Sequence, residues 1–138
     1  MTPDIHGIDH LHVYTRDRAA AEAWYRRVLG LSRVPELEFW SPGRGPLTVA
    51  NAAGTLKLAL FERADAPPGP VIALGVDADG FLQWRAHLRQ ELGTLLEAVD
   101  HDLSWSMYFV DPDGNGYEIT SYDYAELAKR LSGEAAQA

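Results

Sequence analysis

Apolar positions along the chain switch between two periods, and the switches divide it into short elements. Ile8-Asp9-His10-Leu11-His12-Val13-Tyr14 alternates with a period of two, which predicts a strand. His10, His12 and Tyr14 share one face of that strand, and Leu11 and Val13 share the other. Asp17 offers an N-cap, and the spacing of Ala20, Ala23, Trp24 and Val28 predicts a helix over about 18–29 that stops at Gly30. Strands are predicted next over 32–40, 47–52 and 56–62, separated by Pro42-Gly43-Arg44-Gly45-Pro46 and by Ala53-Gly54. Residues 64–70 carry three prolines and a glycine and read as a linker.

After the linker the same order begins again. A short apolar strand over 71–76 leads to Asp79, a cap for a helix over about 80–92 with Phe81, Trp84, Leu88 and Leu92 as its buried stripe. Gly93 ends it. A weaker strand at 94–99, a strand at 104–110, a turn over Asp111-Pro112-Asp113-Gly114-Asn115-Gly116 and a strand at 117–121 follow. A last helix over about 124–131 precedes a tail of small residues expected to fray. Both halves therefore run strand, helix, three strands. The repeat is one of element order rather than residue identity, and each half is too short for an independent core.

Composition narrows the class. The chain has 138 residues, 46% of them hydrophobic and 23% charged, as in an ordinary globular protein. It has no cysteine, which removes disulfides, thiolate metal sites and cysteine nucleophiles. No apolar run approaches the roughly 20 residues of a membrane helix, and the N-terminus lacks the features of a signal peptide, so a cytoplasmic location is expected. The net charge of -8 lies wholly in residues 70–138, where twelve acids face four bases, while residues 1–69 hold eight of each. Such a chain lacks the basic footprint for nucleic acid or an anionic membrane. No phosphate-cradling glycine motif and no nucleophile elbow is present.

Two blocks carry a resemblance. The first is Asp9-His10, Asp17 and Trp24-Tyr25-Arg26-Arg27-Val28-Leu29-Gly30-Leu31. The second is Asp111-Pro112-Asp113-Gly114-Asn115-Gly116-Tyr117-Glu118-Ile119. Together they resemble the vicinal oxygen chelate superfamily of glyoxalase I, extradiol dioxygenases, fosfomycin-resistance enzymes and bleomycin-binding proteins. The resemblance implies an α+β fold of two paired βαβββ modules, over about 6–62 and 71–121, forming a cup-shaped mixed sheet completed in a homodimer. It also implies a divalent metal, Fe(II) or Mn(II), held by His10 and Glu118. The second-module histidine expected by the family falls at Val71, and glyoxalase I's further glutamate falls near Ala59. That departure argues against a glyoxalase I reaction and leaves the metal's third ligand open.

His12, two residues from His10 on the same strand face, can replace the missing ligand or act as a hydrogen-bonded pocket residue. The segment Asp100-His101-Asp102-Leu103-Ser104-Trp105-Ser106-Met107-Tyr108 resembles the part of extradiol dioxygenases that supplies an acid–base histidine and a tyrosine, here His101 and Tyr108. Carboxylates flanking His101 would favour its protonated form. Trp105 and Ser106 are further pocket candidates, and His6 and His87 read as surface residues. Two functions follow as expectations. One is a metal-dependent enzyme of extradiol-dioxygenase type on a small substrate with two adjacent oxygens. The other is a non-catalytic protein that binds a small bleomycin-type molecule, with Trp40 and Trp105 stacking on a cationic guest.

Overall fold

The computed structural model describes residues 1–43 and 45–137. Arg44, within the predicted 42–46 turn, and Ala138, the last residue of the tail, lie outside the described residues. The chain divides into two compact units, residues 1–69 and 70–138.

The first unit runs β1 (Leu11–Thr15), α1 (Arg18–Leu29), β2 (Ser32–Arg33), a 3-10 segment (Pro35–Trp40), β3 (Leu47–Ala50) and β4 (Lys57–Glu62). The second runs β5 (Ile72–Gly75), α2 (Ala78–Leu92), β6 (Val99–Asp100), β7 (Trp105–Val110), β8 (Gly116–Ser121) and α3 (Tyr124–Gln137). Each unit has one four-stranded mixed sheet, ordered β1-β4-β3-β2 and β5-β8-β7-β6. First and last strands pair in parallel, and the remaining pairs are antiparallel. The repeat of element order is thus also a repeat of sheet topology.

It extends to register. Aligning β4 with β8 from their first residues places Leu58 with Tyr117, Ala59 with Glu118 and Leu60 with Ile119. The partners of these residues then place His12 with Ala73, and Thr48 with Tyr108. In both units alternate positions of the central strand and its antiparallel neighbour are buried and helix-facing. Leu58, Leu60, Leu47 and Val49 are buried in the first, with Trp24, Tyr25 and Val28 of α1. Tyr117, Ile119, Met107 and Phe109 are buried in the second, with Phe81 and Leu88 of α2. Each such side chain contributes roughly 1.5–3 kcal/mol by leaving water. The opposite sheet faces carry His12, Thr48, Ala59 and Phe61 in the first unit and Ser106, Tyr108, Glu118 and Thr120 in the second.

The α1 boundaries agree with expectation. Asp17 accepts a hydrogen bond from Ala20 N at 3.1 Å, and Gly30 closes the helix at φ 69°. Its buried stripe differs, with Ala21, Trp24, Tyr25, Val28 and Leu29 inside and Ala20 and Ala23 exposed. The predicted strand over 32–40 ends at Arg33. Pro35 has no N–H for a ladder and starts a 3-10 segment, in which Leu37 N donates to Val34 O and Ser41 N to Glu38 O, both at 3.0 Å. β1 begins at Leu11 rather than Ile8, and the strand expected over 94–99 shrinks to Val99–Asp100. Asp77, not Asp79, caps α2, accepting from Gly80 N at 2.7 Å. Trp84 and Leu92 are half-buried rather than core, and Trp84 meets the half-buried His87 edge-on. α3 continues to Gln137, so residues assigned to a frayed tail are helical.

The turn between β7 and β8 is built on one buried carboxylate. Asp111 Oδ1 accepts from the backbone N of Asp113 and of Asn115, both at 2.9 Å, and Oδ2 accepts from Asn115 Nδ2 at 2.8 Å. Gly114, at φ 85°, lets the chain reverse. Asp111 and Asn115 are each 4% exposed, so the bonds have no competition from water. Asp111→Ala would strand buried donors, each costing about 1–3 kcal/mol. We expect urea unfolding of that variant to show a loss of about 2 kcal/mol or more, and a loss below about 0.5 kcal/mol would contradict this role.

Candidate functional site

In the first unit, His12 is the second residue of β1 and faces the non-helical side of the sheet, and His10 stands one residue before the strand begins. Asp9 Oδ2 lies 2.8 Å from His10 Nδ1, which turns His10 Nε2 away from the backbone and toward His12. The two Nε2 atoms are 3.2 Å apart, the rings stack with centroids at 5.1 Å, and His12 is backed by Phe61 at 4.8 Å. The hydrogen bond from His10, and secondarily the charge of Lys57, holds the Asp9 carboxyl below the usual carboxylate range. Lys57 Nζ lies 4.0 Å from Asp9 Oδ1. Continuing the β1–β4 register one residue back sets Lys57 beside His10.

These residues border a cavity of about 250 Å³ that is also lined by Trp40, Ala59, Phe61 and Pro46. Its outer wall is held from behind by Arg18. The guanidinium donates through Nη1 to Ser41 O at 2.7 Å and to Gly45 O, and through Nη2 to Gly43 O at 2.8 Å. The planar fork of donors, spread over two nitrogens, gathers three carbonyls of this stretch. The stretch is tightly folded, because a Cβ at Gly45 would collide with the carbonyl of Trp40.

A divalent ion takes imidazole nitrogen at about 2.0–2.1 Å, so two such ligands on one ion lie roughly 3.0–3.4 Å apart. The His10–His12 separation falls in that interval, and the Asp9 contact is the carboxylate–histidine support that metal-bound imidazoles receive. The donor set therefore fits two positions of a metal shell. Among the described residues, no group of three or more His, Cys, Asp or Glu side chains converges to complete it.

In the second unit, the β7–β8 register pairs Tyr108 with Glu118 and Ser106 with Thr120 on the non-helical face. Ser106 Oγ lies 2.7 Å from Glu118 Oε2 and 3.0 Å from Thr120 Oγ1. A hydroxyl has one proton, so Ser106 donates to the carboxylate and Thr120 donates to Ser106. Ser106 is fully buried and Glu118 half-buried, which fixes the carboxylate on a packed support. Tyr108 is 43% exposed, and its hydroxyl shares a hydrogen bond of 2.8 Å with His101 Nε2. His101 sits in a tight hairpin in which its own N–H donates to Ser104 O at 2.9 Å and Asp102 takes φ 69°.

The structure thus gathers His10 with His12 in one unit, and Glu118, Ser106, Tyr108 and His101 in the other. Trp105 does not join them. Neighbouring strand residues point to opposite faces, and its ring stacks on Tyr124 at 5.7 Å with Nε1 donating to Tyr124 O at 3.2 Å. The carboxylate flanks expected for His101 are also absent from its hydrogen bonding. Asp100 instead accepts from the Tyr124 hydroxyl at 2.8 and 3.0 Å and from Asp102 N at 2.8 Å. Sequence reading missed Asp9, Lys57 and Arg18. Only Asp9 had a local signal, its adjacency to His10; the others act through strand pairing and a loop fold.

The family model described as "Glyoxalase/Bleomycin resistance protein/Dioxygenase superfamily" matches residues 7–119. An integron cassette protein from the mobile metagenome of a Halifax Harbour sewage outfall superposes with a TM-score of 0.70 at 18% identity, covering 85% of this chain and 99% of that one. The fosfomycin resistance protein FosX of Listeria monocytogenes, solved with Mn(II) and sulfate, gives 0.63 at 16% identity, covering 93% and 99%. A glyoxalase/dioxygenase from Nostoc punctiforme gives 0.65 at 18% identity, covering 88% and 95%. At these identities the structures speak for fold alone.

The Asp100 contact raises the Tyr124 phenol above its ordinary value near 10, chiefly through the hydrogen bond and next through desolvation. A raised folded value means that this stabilisation is present below pH of about 10 and is lost as pH rises through the folded value. We expect Asp100→Asn to bring the Tyr124 titration down toward 10 when followed by the NMR shift of its Cζ. An unmoved titration would show that the carboxylate does not hold the phenol.

Proposed function

The chain belongs to the glyoxalase/bleomycin resistance protein/dioxygenase superfamily, and on that premise we propose that it is a divalent-metal-dependent enzyme of extradiol-dioxygenase type. Its substrate is a small molecule presenting two neighbouring oxygens. The observation that carries this reading is the facing Nε2 pair of His10 and His12 at 3.2 Å, with Asp9 fixed on the far side of His10. In this reading His10 and His12 are two imidazole ligands of the ion, imidazole being a donor that suits Fe(II), and Glu118 is the second unit's candidate carboxylate, a donor that suits Mn(II). When bound, the ion supplies Lewis acidity toward the substrate oxygens and a route for electrons.

The remaining roles fall to side chains whose geometry is already set. Ser106 orients Glu118 by donating to Oε2. Tyr108 offers its hydroxyl to a substrate oxygen, and His101 Nε2 exchanges a proton with that hydroxyl across 2.8 Å. Both groups sit on a paired strand and a tight hairpin, so little ordering is required when substrate arrives.

A binding-only reading has one observation in its favour. Ala59, at the position equivalent to Glu118, is buried and carries no donor, so the first unit presents imidazoles without a carboxylate at that register position. Metal uptake separates the two readings. After incubation with Fe(II), Mn(II) or Zn(II) and removal of excess, elemental analysis should find about one ion per chain. It should fall at least tenfold in His10→Ala and clearly in His12→Ala. Tyr108→Phe should keep the metal and lower turnover of a vicinal diol by about 10²-fold. Wild-type protein that takes up no metal would sink the enzyme reading.

A further inference from the structure

The cavity beside His10 and His12 has a chemistry of its own that the metal ligands do not explain. Its apolar walls are Trp40, Leu37, Pro46, Phe61 and Ala59, and Thr48, Asp9, His10 and His12 complete the lining beside Lys57. Against them stands one ammonium, Lys57, half-buried at the root of β4 with its side chain 28% exposed. The acid beside it is already engaged. Asp9 Oδ2 is held by His10 Nδ1 at 2.8 Å, and Oδ1 comes no closer than 4.0 Å to Lys57 Nζ. That is an ion pair beyond hydrogen-bond distance, so the ammonium keeps donors to offer. Ala59, next to His12 in the sheet, adds no second carboxylate to that of Asp9, which is already shared between His10 and Lys57.

Size sets a second limit. A volume of about 250 Å³ is that of roughly eight waters at about 30 Å³ each, or a ligand of about ten non-hydrogen atoms. The wall that sets this size is braced by Arg18 through Ser41, Gly43 and Gly45 rather than by the ligand.

We propose that this cavity selects a small anionic molecule with an apolar, single-ring-sized body, and that Lys57 recognises its charge. The proposal rests on the reading of the cavity as a substrate pocket, and it narrows the substrate to an acid rather than a neutral or cationic molecule. An ammonium on a shielded wall attracts an anion more strongly than the same charge does in bulk water. Trp40 and Phe61 supply flat surfaces for the body of the ligand. A cationic guest of the bleomycin type meets Lys57 as a like charge.

The test uses the full chain without metal and three single-ring probes of similar size and different charge: benzoate, benzamide and benzylamine. NMR titration should show benzoate binding at least tenfold tighter than benzamide, with benzylamine weakest, and with shifts centred on the Trp40 indole and Phe61. Lys57→Met should lower benzoate affinity about tenfold, to the level of benzamide, without moving benzamide itself. Lys57→Arg should keep the preference. Equal binding of benzoate and benzamide by the wild-type protein would overturn the proposal. So would a preference that survives Lys57→Met, shifts centred elsewhere, or no saturable benzoate binding at 20 mM (about the weakest specific binding worth the name). Because no metal is present, the outcomes separate: metal uptake without acid preference fails this proposal alone, and acid preference without metal uptake fails the metal reading alone.

Discussion

The parallel pairing of the first strand with the last is the constraint on which each unit depends. β1 lies on β4 and β5 on β8, and the last strand is therefore central, flanked by partners on both sides. A parallel pair cannot be closed by a tight turn, so the chain between must cross over, and α1 and α2 are those crossovers. One consequence is a helix packed on one face of each sheet and a free face opposite. Another is that residues more than forty positions apart become neighbours. His12 meets Ala59 and Thr48 in one row, and Glu118 meets Ala73 and Tyr108 in the equivalent row. The candidate chemistry sits on these rows because the helix-facing side is filled by Leu58, Leu60, Tyr117 and Ile119.

The same rows show where the two units differ. Where the first unit has His12, the second has Ala73; where the second has Glu118 and Tyr108, the first has Ala59 and Thr48. On these rows the imidazole lies in one unit, and the carboxylate and the phenol lie in the other. The core positions keep their apolar character throughout, so the repeat persists in packing after it has been lost in chemistry.

Much of this was legible in the order of residues. Strand and helix periods, Asp17, Gly30 and Gly93 located the helices, and the recurrence of five elements exposed the repeat. What failed did so for local physical reasons. Leu37 and Phe39 alternate like strand residues, but Pro35 lacks the donor a ladder needs and a 3-10 segment forms. Asp77 and Asp79 are both plausible caps, and Asp77 N-caps the helix while Asp79 lies inside it and contacts Arg130. Trp105 looked like a stacking residue until its strand parity set it against Tyr124. Lys57 and Arg18 were invisible because their roles arise from a strand pairing and a folded loop.

The acidic charge of the second unit also changes meaning. Asp77 and Asp123 accept from backbone N–H groups at the start of α2, Asp111 builds a turn, and Asp100 holds Tyr124. These acids serve the fold, and Glu118 is the one set beside Tyr108 on the free face. The negative net charge is therefore no guide to the ligand.

The most direct test of the central claim, that His10 and His12 together bind one ion, is pulsed electron paramagnetic resonance of the Mn(II)-loaded protein with ¹⁵N-labelled histidine. The account predicts couplings from two directly bound imidazole nitrogens, falling to one in His12→Ala. Coupling from one nitrogen or none in the unaltered protein would contradict it.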